Sequence, residues 1–268
     1  MLLKTYKKIK TLKRKTNLKL RNKIKKLPFI GNLFIRFYFF MKPERKLGYW
    51  IKRYISSKKG FLVQIGANDG KTFDPIYRSL VKNTNWEALL VEPVPYIFNQ
   101  LKQNYPSHSR FRFENVAIND GTSQVFYSIR REAEDNIENL PYWYYQLGSF
   151  EKENILKHFD GLLEPYLEPI MLKGLTLKDL FLKHNLGYFD LLNIDTEGYD
   201  WKILSQLDLV KHSPTLIIYE HKHLSDRERA QSLRFLEKNY HVFKFAGDLL
   251  AIDKKKFIRK DLKKLKDK

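Results

Sequence analysis

The sequence predicts an α/β fold, a mostly parallel sheet sandwiched by helices with an antiparallel pair of strands at its C-terminal end. Three observations carry that reading. "GFLVQIGANDG", "WEALLVEP", "LLNIDTEG" and "PTLIIYEHKH" are near-continuous apolar runs that stop abruptly at polar residues, as strands buried on both faces do where they leave a parallel sheet. Stretches of helical period lie between them. The last two apolar runs, "YHVFKFAG" and "DLLAID", are joined around Gly247 by too few residues for a crossover and must form a hairpin.

In chain order, residues 44 to 58 place Leu47, Trp50, Ile51, Tyr54 and Ile55 on one side of a helix. The first strand enters the glycine turn Gly66 to Gly70, and a helix with Ile76, Tyr77, Leu80 and Val81 follows. Trp86 to Pro93 reads as a second strand ending in Glu92, and Pro95 to Tyr105 as a helix. "FRFENVAIND" is expected to be a third strand, with "TSQVFYSI" as a shorter neighbour turned around Asn119-Asp120-Gly121. Residues 130 to 173 break the alternation with acids, aromatics and turn formers, and a connection this long suits substrate loops, a lid, or an insertion packed on its own aromatics. Regularity returns with a helix from Thr176, its expected cap, to Leu186. A strand into Asp195, a helix over 200 to 207, a strand into Glu220, a helix over 226 to 239 and the hairpin complete the order, with one antiparallel strand expected at the sheet edge.

Charge divides the chain differently. Residues 1 to 60 carry 20 Lys/Arg against Glu44 alone, residues 254 to 268 carry nine against Asp261 and Asp267, and 61 to 253 hold 21 basic and 27 acidic side chains. The net charge of +20 therefore belongs to the ends of a mildly acidic body. The organisation expected is a basic arm with an aromatic segment over 1–43, a domain over 44–253 with its insertion at about 130–173, and a basic tail over 254–268. An acidic body argues against a nucleic-acid groove across the domain, although basic arms suit an anionic surface. The apolar run Pro28 to Met41 is interrupted by Asn32 and Arg36, short of the roughly 20 apolar residues that cross a bilayer. The basic region before it is too long for a secretory signal. A cytoplasmic protein is expected, its residues 1–41 either a solvated helix leading into a buried segment or a peripheral contact with anionic membrane. With no cysteine in the chain, disulfides, thiolate metal sites and cysteine nucleophiles are excluded.

Polar groups at four strand ends are the candidate site, because open sheets of this kind bind ligands beyond the carboxyl ends of their strands. "GANDG" lets backbone approach a ligand, but no GK[ST] follows, so it is not a triphosphate cradle. Asp69 there suits a ligand with a cationic end. Glu92 can accept both hydroxyls of a ribose. "YFDLLNIDTEGYDWKIL" discharges a strand into Asp195, Glu197, Gly198 and Asp200, and three readings stay open: a divalent metal site, the lining of an organic cofactor pocket, or acids at a helix start. Asp200 fits the last of these best.

Taken in order, "FLVQIGANDG", "LLVEP", "NVAI", "LLNIDTEGYDWKIL" and "IIYEH" resemble the FkbM family of S-adenosylmethionine-dependent methyltransferases over about residues 58 to 253, most specifically through Ile194-Asp195-Thr196-Glu197-Gly198. The resemblance implies a Rossmann-like class I methyltransferase sandwich with a mostly parallel seven-stranded sheet and a C-terminal antiparallel hairpin. It implies S-adenosylmethionine as cofactor and an acceptor hydroxyl on a sugar, glycan or glycosylated metabolite. Carried over by position, it puts Gly66, Asn68 and Gly70, with Asp69 beside them, against the methionyl and ribose parts of the cofactor. Glu92 falls on the ribose hydroxyls, Asn115 to Ala117 near adenine, and Asp195 nearest the sulfonium and acceptor. A base would be drawn from Asp195, Glu220, His221 and His223, with Glu220 or His221 favoured. No metal is expected, and the alternative to that is a Mg²⁺ or Mn²⁺ set of Asp195, Glu197, Glu220 and His221. Tyr142 to Tyr145 either stack on a sugar face or form a partly buried cluster. The competing functions are an RNA methyltransferase using the basic arms, and a non-catalytic nucleoside-binding or membrane-associated module.

Overall fold

The computed structural model describes residues 43–256 together with 261, 264 and 265. Expectations for the rest of the N-terminal arm and of the basic tail lie outside those residues. Helix α1 (Leu47–Ser57) precedes β1 (Gly60–Ile65), α2 (Tyr77–Lys82), β2 (Trp86–Val91), α3 (Pro95–Asn104) and β3 (Phe111–Glu114). Short β4 (Ala117–Ile118) and β5 (Gln124–Ile129) lead into the excursion, which holds α4 (Ala133–Asn136), β6 (Gly148–Ser149), α5 (Lys152–Leu156) and β7 (Leu167–Leu172). Then follow β8 (Gly174–Leu175), α6 (Leu177–Lys183), β9 (Leu191–Ile194), α7 (Asp200–Leu204), β10 (Leu216–Glu220), α8 (Asp226–Glu237), β11 (Tyr240–Phe245) and β12 (Asp248–Asp253).

Seven strands form one sheet in the order β11-β12-β10-β9-β1-β2-β3. All neighbours in it are parallel except the two pairs made by β12. Strand alternation sorts the core onto two faces. Leu62, Leu90, Leu191 and Ile218 pack with Trp50, Ile51, Leu80 and Leu101 of α1 to α3. Val63, Val91, Leu192 and Ile217 pack with Leu180, Ile203 and Leu236 of α6 to α8. Thr176 caps α6, its hydroxyl accepting from Asp179 N at 3.0 Å.

Three expectations change. The antiparallel strand is β12, one position in from the edge, between β10 and β11. "DLLAID" is buried along five of its six residues and "YHVFKF" at only two, so the more apolar partner takes the inner place. The expected third strand is broken at Asn115, whose side chain donates to the Glu92 and Pro93 carbonyls while the chain leaves the sheet for the β4–β8 pair. "TSQVFYSI" supplies β5, which pairs with β6 and β7 in a separate three-stranded sheet. That sheet and the excursion have a core of their own around Ile129, Tyr144, Leu147, Ile155 and Leu163. Beyond β12, Asp261 accepts two hydrogen bonds from the Arg53 guanidinium, each 3.0 Å, and Leu265 is buried with Trp50 and Ile55.

Candidate active site

Chain order reverses between β1 and β9, one running on to β2 and the other to β10, and a crevice opens beyond their carboxyl ends. Gly66 makes this junction: its φ is +74°, and a Cβ there would lie 1.9 Å from the Asp195 carbonyl oxygen. No other residue lets the two strand ends come so close. Gly66 N and Ala67 N both donate to the Val91 carbonyl, which ties the glycine turn to β2. The Glu92 carboxylate finishes the knot, accepting from Asn68 N and from Val94 N at 2.9 Å each. It is 5% exposed, and burial pushes its pKa up to about 7 against those two donors.

Gly66, Asn68, Glu92, Ala117 and Asp195 all line the crevice, whose wall continues through Val116 and Ile118. Gln146, Gly148 and Phe150 of the excursion close over it, and Phe150 packs on Tyr199 with ring centres 4.9 Å apart. Asp69 and Gly70 do not line it. The Asp69 carboxylate is turned into its own loop, accepting from Lys71 N, Thr72 N and the Thr72 hydroxyl. Gly70 leaves room for Leu101 of α3 and for Tyr105 just after it, which a Cβ would meet at 2.3 and 2.6 Å. Asn115 is exposed and does not line the crevice either; its side chain donates to the Glu92 and Pro93 carbonyls.

At the β9 exit, Asp195 is exposed to the crevice. Its confined setting, then the neighbouring carboxylates of Asp200, Glu197, Glu220 and Asp248, hold its pKa well above the ordinary carboxylate range. Asp200 is fully buried and accepts from Thr196 N, the Thr196 hydroxyl and Gly198 N with one oxygen and from Glu220 N with the other. It clamps the Thr196–Gly198 turn to the end of β10, which is more than the helix start expected of it. Glu197 takes φ +50°, an unfavourable conformation for a side-chain-bearing residue, and the Asn154 side chain donates to its carbonyl.

His221 does not join this group. It is buried in a separate cavity of about 340 Å³ with Lys222, Arg229 and Lys244. The chain turns after β10 so that His223 comes back over Glu220: its Nε2 is 3.2 Å from Glu197 Oε2 and 3.6 Å from Glu220 Oε2. Desolvation, with Lys222 and His158 nearby, lowers the His223 pKa to about 4, so the ring is neutral at pH 7. Burial raises Glu220 to about 8 and raises Glu197 as well. The metal alternative thus loses His221 and gains His223, and His158 of the excursion approaches Glu197 and His223 too. The Glu-x-x-His spacing at 220 and 223 was a readable signal for this pairing. Nothing in the sequence pointed to His158.

A model of the FkbM methyltransferase domain matches residues 64–252. The chain belongs to the FkbM methyltransferase family. It is accordingly an S-adenosylmethionine-dependent methyltransferase. No curated protein matches it. Among solved structures it is similar to a TehB-like SAM-dependent methyltransferase from Corynebacterium glutamicum, at 12% identity over 83% of this chain and 95% of that one, TM-score 0.36. It is also similar to a precorrin-6y C5,15-methyltransferase from Geobacter metallireducens, at 11% identity over 77% and 85%, TM-score 0.37. A ribosomal protein L11 methylase from Lactobacillus delbrueckii stands at 9% identity over 76% and 74%, TM-score 0.34. At such scores the architecture rests on the chain's own strand order.

The crevice of this FkbM methyltransferase has the donor set its cofactor needs. Glu92, Asp195 and Glu197 line it and, among the described residues, no Lys or Arg does, a lining suited to a nucleoside with a cationic sulfonium and ammonium and ill suited to a pyrophosphate. Its volume of about 110 Å³ is below the roughly 300–1,000 Å³ of sites that enclose ligands of this size.

Proposed function

We propose that the enzyme methylates a hydroxyl of a sugar, glycan or glycosylated metabolite, with Asp195 receiving the proton. The observation that carries this reading is the position of Asp195, the one carboxylate at the β9 exit that is both exposed in the crevice and raised by confinement and like charge. A base with an elevated pKa is matched to an alcohol at neutral pH. S-adenosylmethionine, when bound, supplies an already activated methyl group. The chain's own residues orient and deprotonate. Glu92, Gly66 and Asn68 hold the nucleoside and Ala117 borders adenine, while Asp195 aligns the acceptor oxygen. As the oxygen–carbon bond forms, the carbon–sulfur bond breaks, the hydroxyl proton passes to Asp195, and a methyl ether and S-adenosylhomocysteine leave.

A saccharide acceptor is supported by two exposed rings. Phe73 and Tyr142 are 76% and 60% exposed and stack with centroids 6.0 Å apart. They stand on the two segments whose Asn68 and Gln146 line the crevice. An exposed aromatic pair of this kind offers an apolar platform to a sugar face. Transfer of labelled methyl to glycan and small-sugar extracts, with the methylated atom located by NMR, tests the reading. An O-methyl sugar is expected, and label recovered only on nitrogen or on nucleic acid would overturn it.

A further inference from the structure

Five potential ligand atoms gather where β9, β10 and the excursion meet. The imidazoles of His158 and His223 lie with the Glu197 carboxylate within 4.8 Å of one another, and so do the carboxylates of Asp195, Glu197 and Glu220. Glu197 belongs to both sets. His223 joins them, standing 3.2 Å from Glu197 Oε2 and 3.6 Å from Glu220 Oε2. Ligands about 2.1 Å from one ion stand roughly 3 to 4 Å from each other, a range that the two His223 spacings meet, and Glu197 links the two sets.

Carboxylates at a strand end are ordinary, and the imidazole supplies the separate observation. The His223 side chain is 10% exposed, and its Nε2 is buried without a hydrogen bond even though Glu197 lies in reach. Glu220 Oε2, facing it, is likewise buried with no hydrogen bond. A buried nitrogen and a buried carboxylate oxygen are costly when unsatisfied. Two such atoms, 3.6 Å apart and neither hydrogen-bonded, leave a place for a partner common to both. Glu197 itself has φ +50°, and the Asn154 side chain donates to its carbonyl.

We propose that Glu197, Glu220, His223 and His158 hold one divalent transition-metal ion beside the crevice, with Asp195 on its crevice side. Two imidazoles among carboxylates favour a first-row transition ion over Ca²⁺ or Mg²⁺, and Mn²⁺ serves as its paramagnetic probe. In its role, though not in its ion binding, this rests on the methyl-transfer reading above. There the ion binds the acceptor oxygen and lowers the hydroxyl pKa, the proton still passing to Asp195. Glu197, shared by the crevice and the ion cluster, makes the two sites continuous.

Titration of the full, chelator-treated chain with Mn²⁺, followed by the paramagnetic signal of the free ion, tests the proposal. One bound equivalent is expected, with affinity reduced about tenfold or more in His223→Gln and in Glu220→Gln. Circular dichroism and thermal unfolding of the same preparations report that each variant is folded, and calorimetry with S-adenosylmethionine reports cofactor binding separately. A wild-type chain that binds S-adenosylmethionine but no Mn²⁺ overturns the ion site, and so does unchanged Mn²⁺ affinity in both variants. Mn²⁺ binding lost in both variants, in a chain that binds no S-adenosylmethionine, upholds the ion site and instead sinks the methyl-transfer reading.

Discussion

Glu92 does two things with one carboxylate. Each oxygen accepts a backbone amide, from Asn68 on one side and Val94 on the other, and the residue also lines the crevice, where a carboxylate oxygen can accept further bonds. A glutamine presents an amide NH₂ to one of those backbone donors and loses the charge that strengthens bonds to ribose hydroxyls. Glu92→Gln is therefore expected to weaken S-adenosylmethionine binding about 10- to 100-fold, measured by titration calorimetry, and affinity equal to wild type would remove Glu92 from cofactor binding. The residue types at this site were readable in the sequence because a strand that ends in an acid is conspicuous. Their directions were not: Asp69 reads as well as Asn68 in "GANDG", yet its carboxylate is spent on Lys71 and Thr72 within the loop.

At the scale of elements, the β9 exit depends on Asp200. One buried carboxylate draws together the Thr196–Gly198 turn and the first residue after the buried part of β10. The pair Asp195 and Glu197 is aimed by that clamp. Asp200→Ala leaves the part-buried amides of Thr196, Gly198 and Glu220 without this acceptor, and a loss on the order of 3 kcal/mol of stability is expected. Denaturant unfolding gives the number, and a loss under about 0.5 kcal/mol would show that the turn holds itself. The same element explains why His221 and His223 exchanged places relative to expectation. Strand periodicity says which face a residue takes while the strand lasts. It gives no guidance for the turn after Glu220, where the chain folds back and returns His223, three positions on, over the carboxylate.

For the whole molecule, concentrating acids in a poorly hydrated cleft has a consequence for stability. In the folded chain Glu92 and Asp200 sit near 7 and Glu220 near 8, whereas the unfolded chain ionises its carboxylates near 4. Raised carboxyl pKa values mean that the folded state binds more protons, so stability falls as pH rises through 7 and 8. The lowered histidines His158, His212, His221 and His223 act in the opposite sense, but only below their ordinary 6.5. Between about pH 7.5 and 8.5 the unfolded-state histidines are already neutral and the carboxylates dominate. The Tm of the ligand-free chain is expected to drop across that interval in scanning calorimetry, and a flat or rising Tm would contradict the burial of these groups.

By itself the sequence determined the alternation of buried strands and helices, the hairpin after α8, and the four strand ends that carry polar groups. Those features are local: apolar continuity, helical period and turn length are properties of neighbouring residues. The resemblance carried by "NIDTEG" added the methyltransferase family. Only the tertiary structure decided that β12 lies inside β11, that β5 leaves the main sheet, and that residues 146–150 roof the crevice. It alone brought His158 and His223 to Glu197. Those outcomes depend on which surfaces cover one another across long sequence separations, and no local pattern records that.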